Sequence, residues 1–309
     1  MTIGTSIDYT VTRDDIITEA LELLGVLAEG ATPSAGQLTS CSRTLNLMVK
    51  AWQGEGLNLF ALQRLYFFPD LATHEYLTST WKATTSYTKT GVSEASAALD
   101  TTIKVDSITG ITNGDIIGIE LDTGAWHWTT VNGVPSGVTV TITTGVPSAV
   151  AIGNYVVAFT TRANRPMKIV DALRRDLESN SDTPIDVLPR ERYITLTPKT
   201  VDGPITQIYY DPQISPAKLF TWPETDSIHK ILILYAQKTL ADLDAAGDNP
   251  EFPQEWLLAL STNLAKELLP KFGSDTKRAS LIINSAGYYK SVAESFDTEE
   301  LIQFVPKRI

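Results

Sequence analysis

Residues 249–273 read NPEFPQEWLLALSTNLAKELLPKFG. Prolines crowd the front of the stretch, and Pro270 with Gly273 closes it. Pro253 suits a first helical turn, where a missing N–H costs nothing. Glu255 favours the positive end of the helix dipole, and Gly273 supplies a C-terminal stop. Leu257, Leu260, Leu264 and Leu268 recur at steps of three and four and line one face. The stretch predicts a bounded, apolar helix with almost no catalytic chemistry, and the fold follows from what packs against it.

Candidates lie at both ends of the chain. Residues 13–26 (RDDIITEALELLGV) predict a helix capped by Thr12, with Asp14 and Asp15 in its first turn and Gly25 near its end. Its stripe is Ile16, Ile17, Ala20, Leu21, Leu23 and Leu24. A second helix is expected from TPS, with Thr32 as cap and Pro33 at the first helical position. Its stripe runs Leu38, Cys41, Leu45, Met48, Val49 and Trp52 until Gly54 and Gly56 stop it. A last helix over about 275–296 places Ala279, Ile282, Ile283, Ala286, Tyr289, Ala293 and Phe296 on one side.

Between these helices the pattern changes to strands. Residues 62–86 read as extended but irregular. Residues 87–160 are rich in Thr, Val, Ile and Gly, hold two lysines (Lys89 and Lys104), and contain no arginine. Short alternating runs such as TTIKVDS, DIIGIEL, WHWTTV and NYVVAF, separated by glycine turns, predict an inserted barrel or sandwich module. Residues 161–250 return to mixed composition. KIVDALRRD, RYITLTP, TQIYYDP and KLFTWPE read as strands punctuated by prolines, and KILILYAQ, with Ile231, Ile233 and Tyr235 alternating, reads as a strand rather than a helix.

The expected fold is therefore α+β: a helical bundle built from both chain termini, with a central, mainly antiparallel β domain and an inserted small β-barrel or sandwich module. The expected divisions are 1–61 with 251–300 for the helical core, 62–86 with 161–250 for the β domain, 87–160 for a separable module, and 301–309 for a C-terminal tail.

Composition excludes several function classes. The formal net charge of −11 over 309 residues opposes wrapping of nucleic acid, which needs an excess of Lys and Arg. Cys41 is the single cysteine, so no intrachain disulfide forms. The opening MTIGTSIDYTVTRDD has neither a basic n-region nor an apolar h-region and is not expected to be a signal peptide. No apolar run is long enough to read as a membrane span.

Reactive constellations are not apparent either. His74, His127 and His229 have no Cys or carboxylate at ligand spacing and read as structural or surface residues. No P-loop, G-x-G-x-x-G or G-x-S-x-G pattern occurs. The acidic pairs Asp14/Asp15, Glu19/Glu22 and Glu299/Glu300 read as solvated helix faces rather than the paired carboxylates of a glycosidase. Cys41 lies on an apolar stripe and reads as core. No catalytic, metal or cofactor-binding residue is assigned. Trp126 and Trp128, two apart on one strand, share a face. They read either as core of the inserted module or as an exposed aromatic platform for a sugar or a partner.

Several segments together carry a resemblance. RDDIITEALELLGV followed by TPSAGQLTSCSRTLNLMVKAWQGEGLNLF resembles the N-terminal helical pair of bacteriophage head-to-tail adaptor proteins, the head-completion, tail-accessory and tail tubular protein A-like family. The matching positions are Leu24, Gly25, Trp52 and Gly56. The stretch 252–273 resembles the family's C-terminal helix at Trp256, Ala259, Leu260, Asn263, Leu264, Ala265, Leu268, Pro270, Phe272 and Gly273, with one extra residue between the Trp and the Ala-Leu pair. RPMKIVDALRRD, PRERYITLTPK, GPITQIYYDP and TWPE resemble the β region of larger members. Order and spacing carry the resemblance more than any single motif, and residues 87–160 depart from it.

That resemblance implies a structural virion protein of the neck or tail, made in the host cytoplasm. It implies a ring, usually of twelve copies, that docks beneath the portal protein and joins the next tail component, a nozzle or tail tube. DNA would pass through the channel without sequence-specific binding, and no membrane, cofactor or enzymatic step is implied. An acidic lumen would repel phosphate and let DNA slide. Acidic protomers would also resist closing into a ring without a template, so the isolated chain is expected to be a monomer or weak oligomer. The apolar and basic tail, Leu301, Ile302, Phe304, Val305, Lys307, Arg308 and Ile309, is the expected portal-docking element, the alternative being a tail folded back on its own helices. Two rivals remain: a virion-associated wall-degrading hydrolase, and a glycan- or partner-binding β module.

Overall fold

A computed structural model describes residues 9–55, 59–214 and 216–297. Among the described residues the architecture is mixed α+β, with five α-helices, two curled sheets and a two-stranded parallel pair. The chain divides into two compact units, Met1–Ala61 with Thr239–Ile309, and Leu62–Lys238. The helices are α1 (Arg13–Leu24), α2 (Ala35–Glu55), the short α3 (Arg190–Thr195), α4 (Gln254–Phe272) and α5 (Thr276–Phe296).

The first unit holds α1, α2, α4 and α5. Helix α1 starts in a capping box between Thr12 and Asp15 and stops at Gly25, which takes a left-handed conformation with φ 74°. Helix α2 starts two residues later than Thr32 and Pro33 suggest. Ser34 takes the cap, accepting from the Gln37 amide at 3.3 Å while its own amide donates to Gln37 Oε1 at 2.8 Å. The reciprocal pair satisfies two orphan amides, which Thr32 does not do. Helix α4 follows Pro253 and ends at Gly273, and Asp275 caps α5 through the Lys277 and Arg278 amides.

Trp256, Ala259, Leu260, Leu264 and Leu268 of α4 are buried in one core with Ile16, Ile17 and Leu21 of α1, Cys41, Leu45 and Trp52 of α2, and Ile282 and Ala293 of α5. Each fully buried leucine contributes on the order of 1.5–3 kcal/mol. Trp52, Phe60 and Phe252 surround Trp256 with ring centroids 5.5–5.8 Å from it. Asn263, buried in the middle of α4, donates to the Ala259 carbonyl at 2.9 Å and to the Ala286 carbonyl of α5 at 3.0 Å. A buried amide is tolerated when it is paired in this way, and the pairing fixes α4 against α5. The expected inward face of α5 is corrected at two positions: Ile283 and Phe296 are exposed.

The second unit holds the strands β1 (Leu62–Phe67), β2 (Glu75–Leu77), β3 (Ala83–Thr84), β4 (Thr88–Glu94), β5 (Thr102–Val105), β6 (Ile116–Glu120), β7 (Trp126–Thr130), β8 (Thr139–Thr141), β9 (Tyr155–Phe159), β10 (Lys168–Asp176), β11 (Asp182–Val187), β12 (Asp202–Gly203), β13 (Gln207–Asp211), β14 (Lys218–Trp222), β15 (Glu224–Thr225) and β16 (Lys230–Gln237). The larger sheet has the order β2-β14-β13-β11-β10-β16-β1-β3 and is antiparallel except between β11 and β13. The smaller sheet, β7-β6-β9-β4-β5-β8, is antiparallel throughout. It comes wholly from residues 88–159 and encloses its own core of Ile103, Val105, Ile117, Ile119, Val140 and Ile142.

Strand β16 explains its apolar sequence. Leu232, Leu234 and Ala236 face the core of the larger sheet, whereas Ile231 joins a second cluster. A strand buried on both faces has no reason to alternate with polar residues. RYITLTP is a correction: Pro189 precedes α3 there instead of a strand, and Tyr193 of α3 stacks on Tyr209 at 5.4 Å. Residues 239–250 belong with the helices, not with the β domain; the Lys50 ammonium reaches the Leu240 carbonyl at 2.7 Å.

Candidate functional site

Of the residues singled out from sequence, the tail Leu301, Ile302, Phe304, Val305, Lys307, Arg308 and Ile309 lies outside the described residues. The aromatic pair is described, and of its two readings the exposed platform is the one that burial removes; the pair packs in a cluster around Phe68, apart from the module's own core. Trp126 is only 8% exposed and Trp128 is half-buried. Both point from β7 toward the larger sheet, because period-two alternation puts them on one face and sends His127 to the other.

There they meet Phe68, which follows β1 and is fully buried. Its ring lies 5.7 Å from Trp128, 6.3 Å from Trp126, 5.2 Å from Tyr87 and 6.3 Å from Phe159, stacked on the last. Val157, Leu177, Ile228 and Ile231 complete the cluster. The module of residues 87–160 is thus joined to the larger sheet by a shared aromatic core, where the sequence suggests a separable appendage. The Trp128 indole N–H donates to Asp70 Oδ1 at 3.2 Å, and the Lys82 ammonium stands 5.6 Å from the Trp128 ring. Burial pushes the Asp70 carboxyl up, against the Trp128 donor and the Lys82 charge. Two tryptophans committed to these contacts do not form an open platform for a sugar.

Beside the aromatic core lies a polar clamp. His229, in the turn before β16, sits between two carboxylates. Its Nε2 is 2.8 Å from Glu120 Oε1 at the end of β6, and its Nδ1 is 2.7 Å from Glu178 Oε1 beyond β10. The Tyr155 ring packs edge-on against the imidazole at 5.0 Å. The Lys89 ammonium donates to the Leu177 carbonyl at 2.7 Å and stands 4.7 Å from the Tyr155 ring. Desolvation works to lower the His229 pKa, but the Glu120 hydrogen bond and charge, then those of Glu178, outweigh it and raise the value above its ordinary 6.5. With both ring nitrogens held by carboxylates, the imidazole has none left to take a proton from a substrate. The geometry is that of a cationic cross-link between module and sheet. Its partners are 51 and 109 residues away in the chain, so no spacing rule reveals it.

The first unit presents a different feature. On α5, Leu281, Tyr288 and Phe296 are 68%, 65% and 73% exposed, and Val292 is exposed as well. With Ser285 they recur at steps of four, three, four and four and form one stripe, adjacent to the buried stripe of Ile282, Ala286 and Ala293. The row faces outward on a helix that already buries its inner row, and apolar patches of this kind are where partners bind in many proteins. In the same unit α1 and α4 flank a groove of about 340 Å³ lined by Tyr9, Val11, Ile16, Leu257 and Leu258, with Asp15 and Glu19 at its edge.

The remaining candidates have structural partners. His74 Nδ1 lies 2.8 Å from Glu224, and His127 Nε2 lies 3.0 Å from the Thr144 carbonyl. Cys41 is buried, which raises its thiol pKa and leaves it inert. Asp15 serves the α1 cap, and Glu299/Glu300 lie outside the described residues. Among the described residues, no group of three or more His, Cys, Asp or Glu is placed to hold a metal ion, and no helix is long and apolar enough to cross a membrane. No model of a known protein family matches the chain, and no curated protein matches it.

Proposed function

We propose that the chain is a structural virion protein, an adaptor that docks beneath a phage portal as a ring and joins it to the next tail component. In this reading the helices from the two ends of the chain form a bundle that is the body of the ring. The exposed α5 stripe is the observation that carries the proposal. A protomer of a closed ring needs two different surfaces that fit one another, since head-to-tail contacts close a ring. The α5 stripe and the α1–α4 groove, both apolar and both on the first unit, supply such a pair. The β unit, stiffened by its aromatic core and the His229 clamp, would be the platform for the next component. The net charge of −11 suits a channel wall along which DNA slides.

The test is the mass of the purified protein, by light scattering or native mass spectrometry, with and without a portal protein. The expected result is a monomer or weak oligomer alone and a ring-sized assembly on the portal. A chain that stays monomeric beside an intact portal ring overturns the proposal.

A further inference from the structure

The second unit contains a cationic pocket of about 350 Å³ that neither the junction nor the adaptor reading uses. Three segments build it: the turn after β2 with Thr78 and Ser79, the segment 162–165 after β9, and the loop before β14 with Ile214 and Pro216. Hydrogen bonds hold these walls together. The Trp81 indole donates to the Ala163 carbonyl at 3.1 Å, and the Ala163 amide donates to the Ala83 carbonyl at 2.7 Å. The Thr78 amide donates to the Ala217 carbonyl at 2.9 Å, and the Ala217 amide donates back to Thr78 Oγ1 at 3.1 Å. Because Thr78 Oγ1 accepts that bond, its hydroxyl hydrogen is free to donate elsewhere.

Two guanidinium groups enter the pocket. Each is pinned by one backbone carbonyl, Arg162 Nη1 by Ser79 at 3.0 Å and Arg165 Nη1 by Pro212 at 3.1 Å. Among the described residues neither makes a salt bridge, although the chain is acidic overall. Arg162 Nε is buried with no hydrogen-bond partner. Burial, and after it the positive charge of Arg162, holds the Lys82 ammonium below its ordinary range, so a third cation stands nearby. Clustered cations without acidic partners cost stability unless an anion arrives to offset them. At the rim, Ile214 is 91% exposed.

We infer that this pocket binds an acidic segment of a partner protein, a Glu or Asp carboxylate entering between Arg162 and Arg165 while a neighbouring apolar side chain rests on Ile214 and Pro216. Two forked guanidiniums, the Thr78 hydroxyl and the Asn164 amide match a carboxylate's lone pairs. The apolar rim is what separates a peptide from a bare inorganic anion, which has nothing to place there. The inference is independent of the adaptor reading.

The test is an NMR titration of the full-length ¹⁵N-labelled chain with three probes: acetyl-Leu-Glu-Leu amide, acetyl-Leu-Gln-Leu amide and inorganic phosphate. The Glu peptide is expected to give saturable shifts at the Ser79, Ala163, Asn164 and Ile214 amides. It should bind about tenfold or more tightly than the Gln peptide, the scale of one charge-assisted pair. Arg165→Glu, a partly exposed position, should abolish the shifts with the rest of the spectrum unchanged. Arg162→Lys, which keeps the charge but loses the fork, should weaken them. Equal binding of the Glu and Gln peptides, shifts that survive Arg165→Glu, or saturation by phosphate without saturation by peptide would each overturn the inference.

Discussion

Gly118 lies directly against Trp128. The two are registered partners across β6 and β7, and a methyl group at position 118 would stand 2.5 Å from a carbon of the indole ring. The indole cannot yield easily, since it is held by Asp70 on one side and Phe68 on the other. Gly118→Ala is therefore expected to lower stability by about 1–3 kcal/mol through overpacking. Urea unfolding followed by tryptophan fluorescence measures it. An unchanged midpoint would show that the junction is looser than its geometry.

Phe68 tests the same junction from the other side. Removing a fully buried ring that touches Tyr87, Trp126, Trp128 and Phe159 leaves a cavity in both partners. Phe68→Ala is expected to cost about 3–5 kcal/mol, against about 0.5–1.5 kcal/mol for Ile103→Val inside the module. Limited proteolysis should then cut near residues 87 and 160 first. Cleavage elsewhere, with the module still attached, would argue that Phe68 does not hold it.

The His229 clamp predicts a pH dependence with a definite sign. Its pKa is raised in the folded chain, so the protonated form is the stabilising one. That contribution is fully present below the ordinary histidine value of 6.5 and is lost as pH rises through the raised value. Melting temperature should fall over the pH range just above 6.5, and His229→Gln should flatten that slope. Asp176, which also feels the His229 charge, titrates well below this range and does not confuse it. The same slope in wild type and variant would remove the clamp from the account.

Charge on the α5 stripe separates folding from assembly. Tyr288→Asp with Val292→Asp alters exposed side chains, and such changes usually move stability by no more than about 0.5 kcal/mol each. The double variant is expected to melt like the wild type but to fail to assemble on a portal. Normal assembly would move the protomer contact away from α5.

Deletion of residues 298–309 addresses the tail. If it docks on a portal, the truncated chain should melt at the same temperature and lose portal binding. A lower melting temperature with binding intact would assign the tail to its own helices.

Much of the fold was legible because it is written in local patterns. The stripes of α1, α2 and α4 recur at helical spacing, and Gly25, Gly273 and the paired prolines mark their ends. β16 was expected from the alternation of Ile231, Ile233 and Tyr235 and is a strand, but Leu232, Leu234 and Ala236 between and beside them are buried as well. What sequence could not supply was contact between distant segments. Trp126 and Trp128 were correctly placed on one face, but nothing local says that Phe68 covers that face. Ile283 and Phe296 looked inward because α5 is apolar around much of its circumference, and periodicity alone does not choose between two neighbouring stripes. His229, Glu120 and Glu178, like Arg162 and Arg165 with Thr78, are joined only by the sheet.

One pairing has a consequence for the order of folding on the ribosome. The first and last strands of the second unit, β1 and β16, run side by side, with Leu62 opposite Gln237. The chain therefore leaves the helical unit and returns to it at neighbouring points, and α1 and α2 have to wait for α4 and α5 to be synthesised. Were the intervening segment still a flexible loop, closing it would cost roughly 4–5 kcal/mol of chain entropy. A β unit that folds as soon as it emerges removes most of that cost, because it presents its two ends already together. Slow maturation of the β unit should then delay the helices as well.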